Sequence, residues 1–356
     1  MEGDGLDDLM ALLPPLLGSL EALGFIARYL NPPDFGQVMA AAGTPDAALR
    51  EARPRLDSWP DRLAGVRDRL VNASDSVLAA FEALRSVDDG DGMGGVYRAL
   101  RHTPRAQEAL YPLAAGVPPV SRYFLSPGAR DDPEVQQRLA EAPDRDDTGV
   151  MHSANEPGSR GGYSLYVPED YSPDRAWPLV MALHGGAGNG RSFLWSWLRD
   201  ARSHGAILVA PTAVGDTWAL NGPDPDTPNL GRILDEVRSG WNVDPARLLM
   251  TGMSDGGTFS YVSGLEPGSP FTHLAPVSAA FHPVLAAMAD PDRMRGLPIH
   301  VTHGALDWMF PVSMAREAVE ALTAAGAEVT YREIEDLSHC YPREANGGML
   351  GWLDGG

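Results

Sequence analysis

Arg247-Leu248-Leu249-Met250-Thr251-Gly252-Met253-Ser254-Asp255-Gly256-Gly257 is the stretch on which the reading of this chain turns. Its first five residues are a short, largely apolar run, the pattern of a buried strand, and a helical segment follows Gly257. Between strand and helix only a tight turn fits, with Ser254 at its apex. Such a turn lifts the serine hydroxyl above the sheet. Glycines on either side are needed because a Cβ there would strike the neighbouring strand or helix. The Gly-x-Ser-x-Gly spacing by itself recurs by chance; at the end of an apolar strand it marks Ser254 as a candidate nucleophile.

Working outward, the upstream strand pattern Pro178 to Leu183 runs into His184-Gly185-Gly186-Ala187-Gly188. A glycine-rich loop after an early strand can turn backbone N–H groups toward the point above the serine where a carbonyl oxygen becomes an oxyanion. Gly186 or Ala187, paired with the N–H of Asp255, are the candidate donors, and His184 reads as a brace for the loop. A phosphate cradle is disfavoured, since no Lys-Ser/Thr ending follows. Downstream, Pro298 to His303 leaves on Gly304 and is followed by Asp307. The strand Val329 to Ile334 is followed by His339. Serine, aspartate and histidine thus occur in that order, each beyond a strand end, which is the order of one known nucleophile, base and acid arrangement.

The remaining strand patterns are Tyr163 to Val167, Ala206 to Ala210, Arg247 to Gly252 and Leu274 to Ala279, with helical patterns at Asn229 to Ser239 and Val312 to Ala325. Nearly continuous apolar strands alternating with helices predict a mostly parallel sheet covered on both faces. Residues 150–356 are therefore expected to form an α/β catalytic domain. Residues 1–125 read as an all-α module. There Leu63, Leu70, Val77 and Leu84 repeat every seven residues between Trp59 and Val87, with Val66, Ala73 and Ala80 among them. Pro60 fits a first turn, and Asp88-Asp89-Gly90 a stop. The seam reads as a bundle core or, alternatively, as a homodimer contact through the N-terminal helices. Residues 126–149, polar and acidic, read as a linker.

Composition limits the partners. With 48 Asp and Glu against 28 basic residues the formal net charge is -20, a field that repels nucleic acid and anionic lipid. Cys340 is the only cysteine, so neither an intrachain disulfide nor a cysteine metal cluster can form. The beginning, Met1-Glu2-Gly3-Asp4-Gly5, is acidic, and Asp7, Asp8 and Pro14-Pro15 interrupt the apolar run behind it. The expectation is a cytoplasmic protein with no signal peptide and no membrane span.

From about residue 150 to 354 the chain resembles the α/β-hydrolases. More narrowly it resembles the serine esterases grouped with polyhydroxybutyrate depolymerases, feruloyl esterases and the phospholipase/carboxylesterase family. Leu183-His184-Gly185-Gly186, Val243-Asp244-Pro245-Ala246-Arg247, His303-Gly304-Ala305-Leu306-Asp307 and Ser338-His339 carry the likeness. It implies an α/β-hydrolase with a mostly parallel central sheet, preceded here by the all-α module, which the likeness does not cover. It also implies Ser254 as nucleophile, His339 as base, Asp307 as acid, and a small-molecule or oligomeric carboxylic ester as substrate, with no cofactor or metal. Dienelactone hydrolases share part of the pattern but place Cys where this chain has Ser254. The same three residues also serve peptidases of the prolyl-oligopeptidase kind, and a hydrolase fold can persist in a non-catalytic binding protein.

Other side chains compete for roles. His303, His273 and His282 are alternative bases, and Asp336 is an alternative acid. Trp195, Trp218 and Trp308 read either as core or as walls of an aromatic-lined substrate pocket. Residues 1–125 are not needed for the chemistry and are expected to act on access or assembly.

Overall fold

Eight segments pair into one sheet in the computed structural model, which describes residues 3–87 and 92–355. They are β1 (Gly149–Ser153), β2 (Tyr163–Val167), β3 (Trp177–Leu183), β4 (Ile207–Pro211), β5 (Val243–Met253), β6 (His273–Val277), β7 (Pro298–Gly304) and β8 (Glu328–Ile334). Their order is β1-β2-β4-β3-β5-β6-β7-β8. The contacts of β2 with β1 and β4 are antiparallel, and all others are parallel. β3 and β5 lie at the centre and are buried over nearly their whole apolar length, as parallel strands covered on both faces must be. Leu179, Met181, Leu183, Leu248 and Met250 enter one core cluster, together with Ile207, Val209, Leu274 and Ile299.

Two compact units divide the chain, residues 1–125 and 126–356. The first is helical: α1 (Gly3–Arg28), α2 (Phe35–Ala42), α3 (Ala47–Ala52), α4 (Ala64–Arg85), α5 (Gly92–Leu100), α6 (His102–Leu110) and α7 (Pro118–Tyr123). The seven-residue seam is buried at Leu70, Ala73, Val77, Ala80 and Leu84, where α4 packs on α1, α5 and α6. Those residues are thus occupied inside the unit and are not left for a coiled-coil partner. Leu63 and Val66 are only partly buried, because Asp61–Leu63 forms a 3-10 turn and α4 starts at Ala64, not at Trp59. The expected stop at Asp88-Asp89-Gly90 lies outside the described residues.

α1 departs from expectation. It runs through Pro14 and Pro15, each a cost of about 3 kcal/mol in a helix interior. Leu9, Leu12, Leu13, Leu16, Leu20, Leu23 and Ile26 line its buried face and offset that cost. By length and composition Gly5–Arg28 would suffice to cross a membrane, although the interrupted run suggested no such span. About 44% of its most apolar window is buried within the protein.

The second unit carries α8 (Pro133–Ala140), α9 (Gly190–Phe193), α10 (Leu198–His204), α11 (Asp226–Gly240), α12 (Asp255–Gly264), α13 (Val284–Met288), α14 (Pro291–Met294), α15 (Val312–Ala324) and α16 (Asn346–Leu353). α12 packs on β5 and β6, and α15 on β7 and β8. The stretch read as a linker, 126–149, folds onto this unit. Asp132 caps α8 through the Glu134 N–H at 2.9 Å. The Arg138 guanidinium donates to the carbonyls of Arg202 and Ser203 at 3.0 and 2.9 Å, and Gly149 opens β1. Acidic composition masked this segment: its aspartates serve as caps and ion-pair partners, not as a solvated spacer.

Candidate active site

The sheet places its chemistry by topology. From β3 the chain goes to β4 on one side, while β5 lies on the other, so the carboxyl ends of β3 and β5 flank a point where the winding reverses. Crevices at such points are where open α/β sheets bind ligands. The loop after β3 holds Gly186 and Ala187, and the turn after β5 holds Ser254. The loops after β7 and β8, farther along the same side, hold Asp307 and His339.

Ser254 has φ 56° and ψ -120°, a conformation that L-residues rarely adopt, and it caps α12. Its N–H donates to the Val277 carbonyl at 3.0 Å, and its carbonyl accepts from the Thr258 N–H at 2.8 Å. The flanking glycines are required by close approach. A Cβ on Gly252 would sit 2.5 Å from the Gly256 carbonyl carbon, and one on Gly256 would sit 2.4 Å from the Leu183 oxygen. Strand, turn and helix are thereby pressed together, and the hydroxyl is left at the rim.

His339 Nε2 lies 3.0 Å from Ser254 Oγ, in reach to accept the hydroxyl proton. Its Nδ1–H donates to Asp307, 2.9 Å from Oδ2 and 3.1 Å from Oδ1. The acid is itself fixed, since Oδ1 accepts the N–H groups of Met309 and Phe310 at 2.9 and 2.8 Å. Burial alone would raise the Asp307 carboxyl. The hydrogen bonds from His339 and Phe310 and the charges of His339 and His303 outweigh it and hold the group below the ordinary carboxylate range. An ionised carboxylate on Nδ1–H leaves Nε2 as the acceptor.

The loop after β3 arches over the serine. A Cβ on Gly185 would lie 3.7 Å from Ser254 Cβ, and one on Gly186 would lie 2.8 Å from the Asp255 carboxylate. Ala187 takes a left-handed φ of 53°, and the Gly188 N–H closes the turn on the Gly185 carbonyl at 3.1 Å. Asp255 is the first residue of α12, where a backbone N–H has no intrahelical acceptor. The loop is thus brought against the turn, with Gly185 beside Ser254 and Gly186 beside Asp255.

His184 braces this loop. Its Nδ1–H donates to the Gly185 carbonyl at 2.7 Å, Nε2 accepts from the Ala213 N–H at 3.1 Å, and its ring lies 4.8 Å from that of Trp218. Burial pushes it down to about 4, so it stays neutral and acceptor-competent at Nε2. Sequence reasoning missed Arg160 and Thr217. Arg160 donates to the carbonyls of Gly188 and Gly215, at 2.8 Å to Gly188. The Thr217 hydroxyl donates to Asp255 Oδ2 at 2.6 Å. Neither belongs to a motif, so only the folded loops bring them in.

Trp195 and Trp218 are each 2% exposed and therefore belong to the core, not to a pocket wall. Trp218 stacks on Phe259 and donates its indole N–H to the His184 carbonyl, which draws it inward. Trp308, 45% exposed, stays at the surface beside His339. Of the competing groups, His303 lies next to Asp307 at 3.5 Å but spends Nε2 on the Phe310 carbonyl. His273 pairs with Thr272, His282 accepts from the Val284 N–H, and Asp336 is exposed. None of the three histidines is brought to Ser254. Among the described residues no group of three or more His, Cys, Asp or Glu is gathered to hold a metal.

Residues 227–348 match the phospholipase/carboxylesterase family model. A probable feruloyl esterase C of Aspergillus terreus is 29% identical over 178 residues, 47% of this chain and 64% of that protein. A bifunctional acetylxylan esterase/xylanase of Neocallimastix patriciarum is 28% identical over 156 residues, 43% of this chain and 22% of that one. The chain thus spans less than two thirds of the length of either relative. Among solved structures, a thermostable esterase superposes with TM-score 0.48 at 23% identity, covering 59% of this chain and 63% of its own. The second unit has an α/β-hydrolase fold, and it is similar to the phospholipase/carboxylesterase family over residues 227–348 and to the fungal feruloyl esterases.

Proposed function

We propose that this protein is a serine hydrolase that cleaves carboxylic esters through an acyl-enzyme. The reading rests on the relay from Ser254 Oγ to His339 Nε2 at 3.0 Å and from His339 Nδ1 to Asp307 at 2.9 Å. In this mechanism His339 takes the Ser254 proton as Oγ attacks the ester carbonyl. Asp307 fixes the imidazole tautomer and stabilises the cation that forms. The developing oxyanion is held by the N–H of Asp255 with that of Gly186 or Ala187. The proton on Nε2 then passes to the departing alcohol, and water repeats the cycle on the acyl group.

Esters are the proposed substrates, in preference to amides, because the names of both relatives state an esterase activity, in one beside a xylanase activity. The triad alone does not discriminate. Comparing turnover of a p-nitrophenyl acyl ester with that of a matched aminoacyl p-nitroanilide tests the choice. Faster ester cleavage by orders of magnitude supports the proposal. Comparable or faster anilide cleavage would move the protein to the peptidases.

A further inference from the structure

We propose that Leu306, Trp308 and Met309 form a subsite for the alcohol half of the ester and select apolar, aromatic alcohols; this rests on the ester-hydrolase reading above. These residues flank Asp307 and are 47, 45 and 47% exposed, whereas Trp177, Trp195, Trp197 and Trp218 in the same unit are at most 2% exposed. Leaving such side chains about half in water forgoes part of the stabilisation that full burial would give. Their exposure is held by the fold. The Leu306 N–H donates to the Leu337 carbonyl at 3.0 Å, the Met309 and Phe310 N–H groups donate to Asp307, and His303 grips the Phe310 carbonyl at 2.9 Å.

Which half of the ester meets them follows from the proton's path. In acylation the bond from Ser254 Oγ to the carbonyl carbon forms, and the Oγ proton moves to His339 Nε2. The bond from that carbon to the alcohol oxygen then breaks, and the same proton leaves with the alcohol. The alcohol oxygen must therefore come within about 3 Å of Nε2. The sheet sets the two halves apart. The loop that would hold the oxyanion follows β3 on one flank of β5, whereas His339 and Asp307 follow β8 and β7 on the other. The Trp308 ring stands edge-on to the His339 imidazole, with centroids 6.3 Å apart at 71°. An alcohol group leaving through Nε2 departs past the imidazole that this ring abuts.

The test moves one phenyl group across the ester. Values of kcat/KM are measured for methyl acetate, benzyl acetate and methyl phenylacetate with the wild-type protein, Trp308→Ala and Trp308→Phe. Folding of each variant is checked by circular dichroism. The ratio of benzyl acetate to methyl acetate should fall about tenfold in Trp308→Ala, the loss of one aromatic contact, and less in Trp308→Phe. The ratio of methyl phenylacetate to methyl acetate should stay within about twofold. An unchanged alcohol ratio, or an equal fall in both ratios, overturns the subsite while leaving ester hydrolysis intact. So does a change in sedimenting mass at an unchanged alcohol ratio, which would make the patch a contact with another copy. A wild-type protein that cleaves none of the three esters overturns the subsite and the ester reading together.

Discussion

In the helical unit burial is spread along helix faces: Leu70, Val77 and Leu84 of α4 each fill part of a core. In the sheet-bearing unit β3, β5 and β7 are largely buried too, but the residues past their ends carry polar groups held at hydrogen-bond distance. The contrast lies in where the information sits. A bundle core depends on volume and pattern, and it yields gradually to substitution. A sheet rim depends on a few side chains placed to within a fraction of an ångström, and it fails abruptly.

Removing Ser254 should give the largest effect. Ser254→Ala is expected to lower ester turnover by roughly four to six orders of magnitude while leaving the thermal unfolding midpoint within a few degrees of wild type. Near-normal turnover would break the contrast at once. In the helical unit, Leu70→Ala should instead cost about 2–5 kcal/mol of that unit's stability and leave kcat on a p-nitrophenyl ester within about twofold, as read by urea unfolding and kinetics on the same samples. A hundredfold loss of kcat in a still-folded Leu70→Ala protein would show that the bundle serves the chemistry directly. Between these extremes stands deletion of residues 1–125. The fragment 126–356 should retain a reactive Ser254 but lose solubility, and its preference between short and bulky esters should shift by a few fold. An unchanged preference would remove the access role expected of the helices.

The smallest effect concerns pH. His184 is held neutral to about pH 4, whereas an unfolded histidine takes up its proton near 6.5, so the unfolded chain binds more protons in that window. The stability it contributes is full above 6.5 and drains away as pH falls toward 4. His184→Gln should flatten the acid slope of the unfolding free energy over that range. Asp307 acts lower, because its carboxyl is held below its ordinary 3.8, and its contribution is present above that value and lost as pH falls beneath it. An undiminished slope between 6.5 and 4 in His184→Gln would assign it to other groups.

How much could be read from the chain follows the same divide. Gly252 to Gly257 and His184 to Gly188 were legible because each ends an apolar strand with residues that only a tight turn requires, and Asp307 and His339 because each follows a strand pattern in the loop beyond it. The edge strand β1 was not, since Gly149–Ser153 is half-buried throughout and mixes polar with apolar residues. Nor was the continuity of α1 through Pro14 and Pro15, where burial outweighs local preference. Arg160 and Thr217 left no signal at all: they act on carbonyls and carboxylates distant in sequence. The fates of Trp195, Trp218 and Trp308 were also hidden, because indoles near a site look alike in sequence until packing buries two of them and leaves the third exposed.

Labelling with a fluorophosphonate, followed by peptide mass spectrometry, tests the central claim most directly. A folded, full-length protein should carry one phosphonyl adduct at Ser254, with labelling abolished in Ser254→Ala and strongly slowed in His339→Ala. An adduct elsewhere, or no adduct in a folded protein, would contradict the assignment of Ser254 as an activated nucleophile.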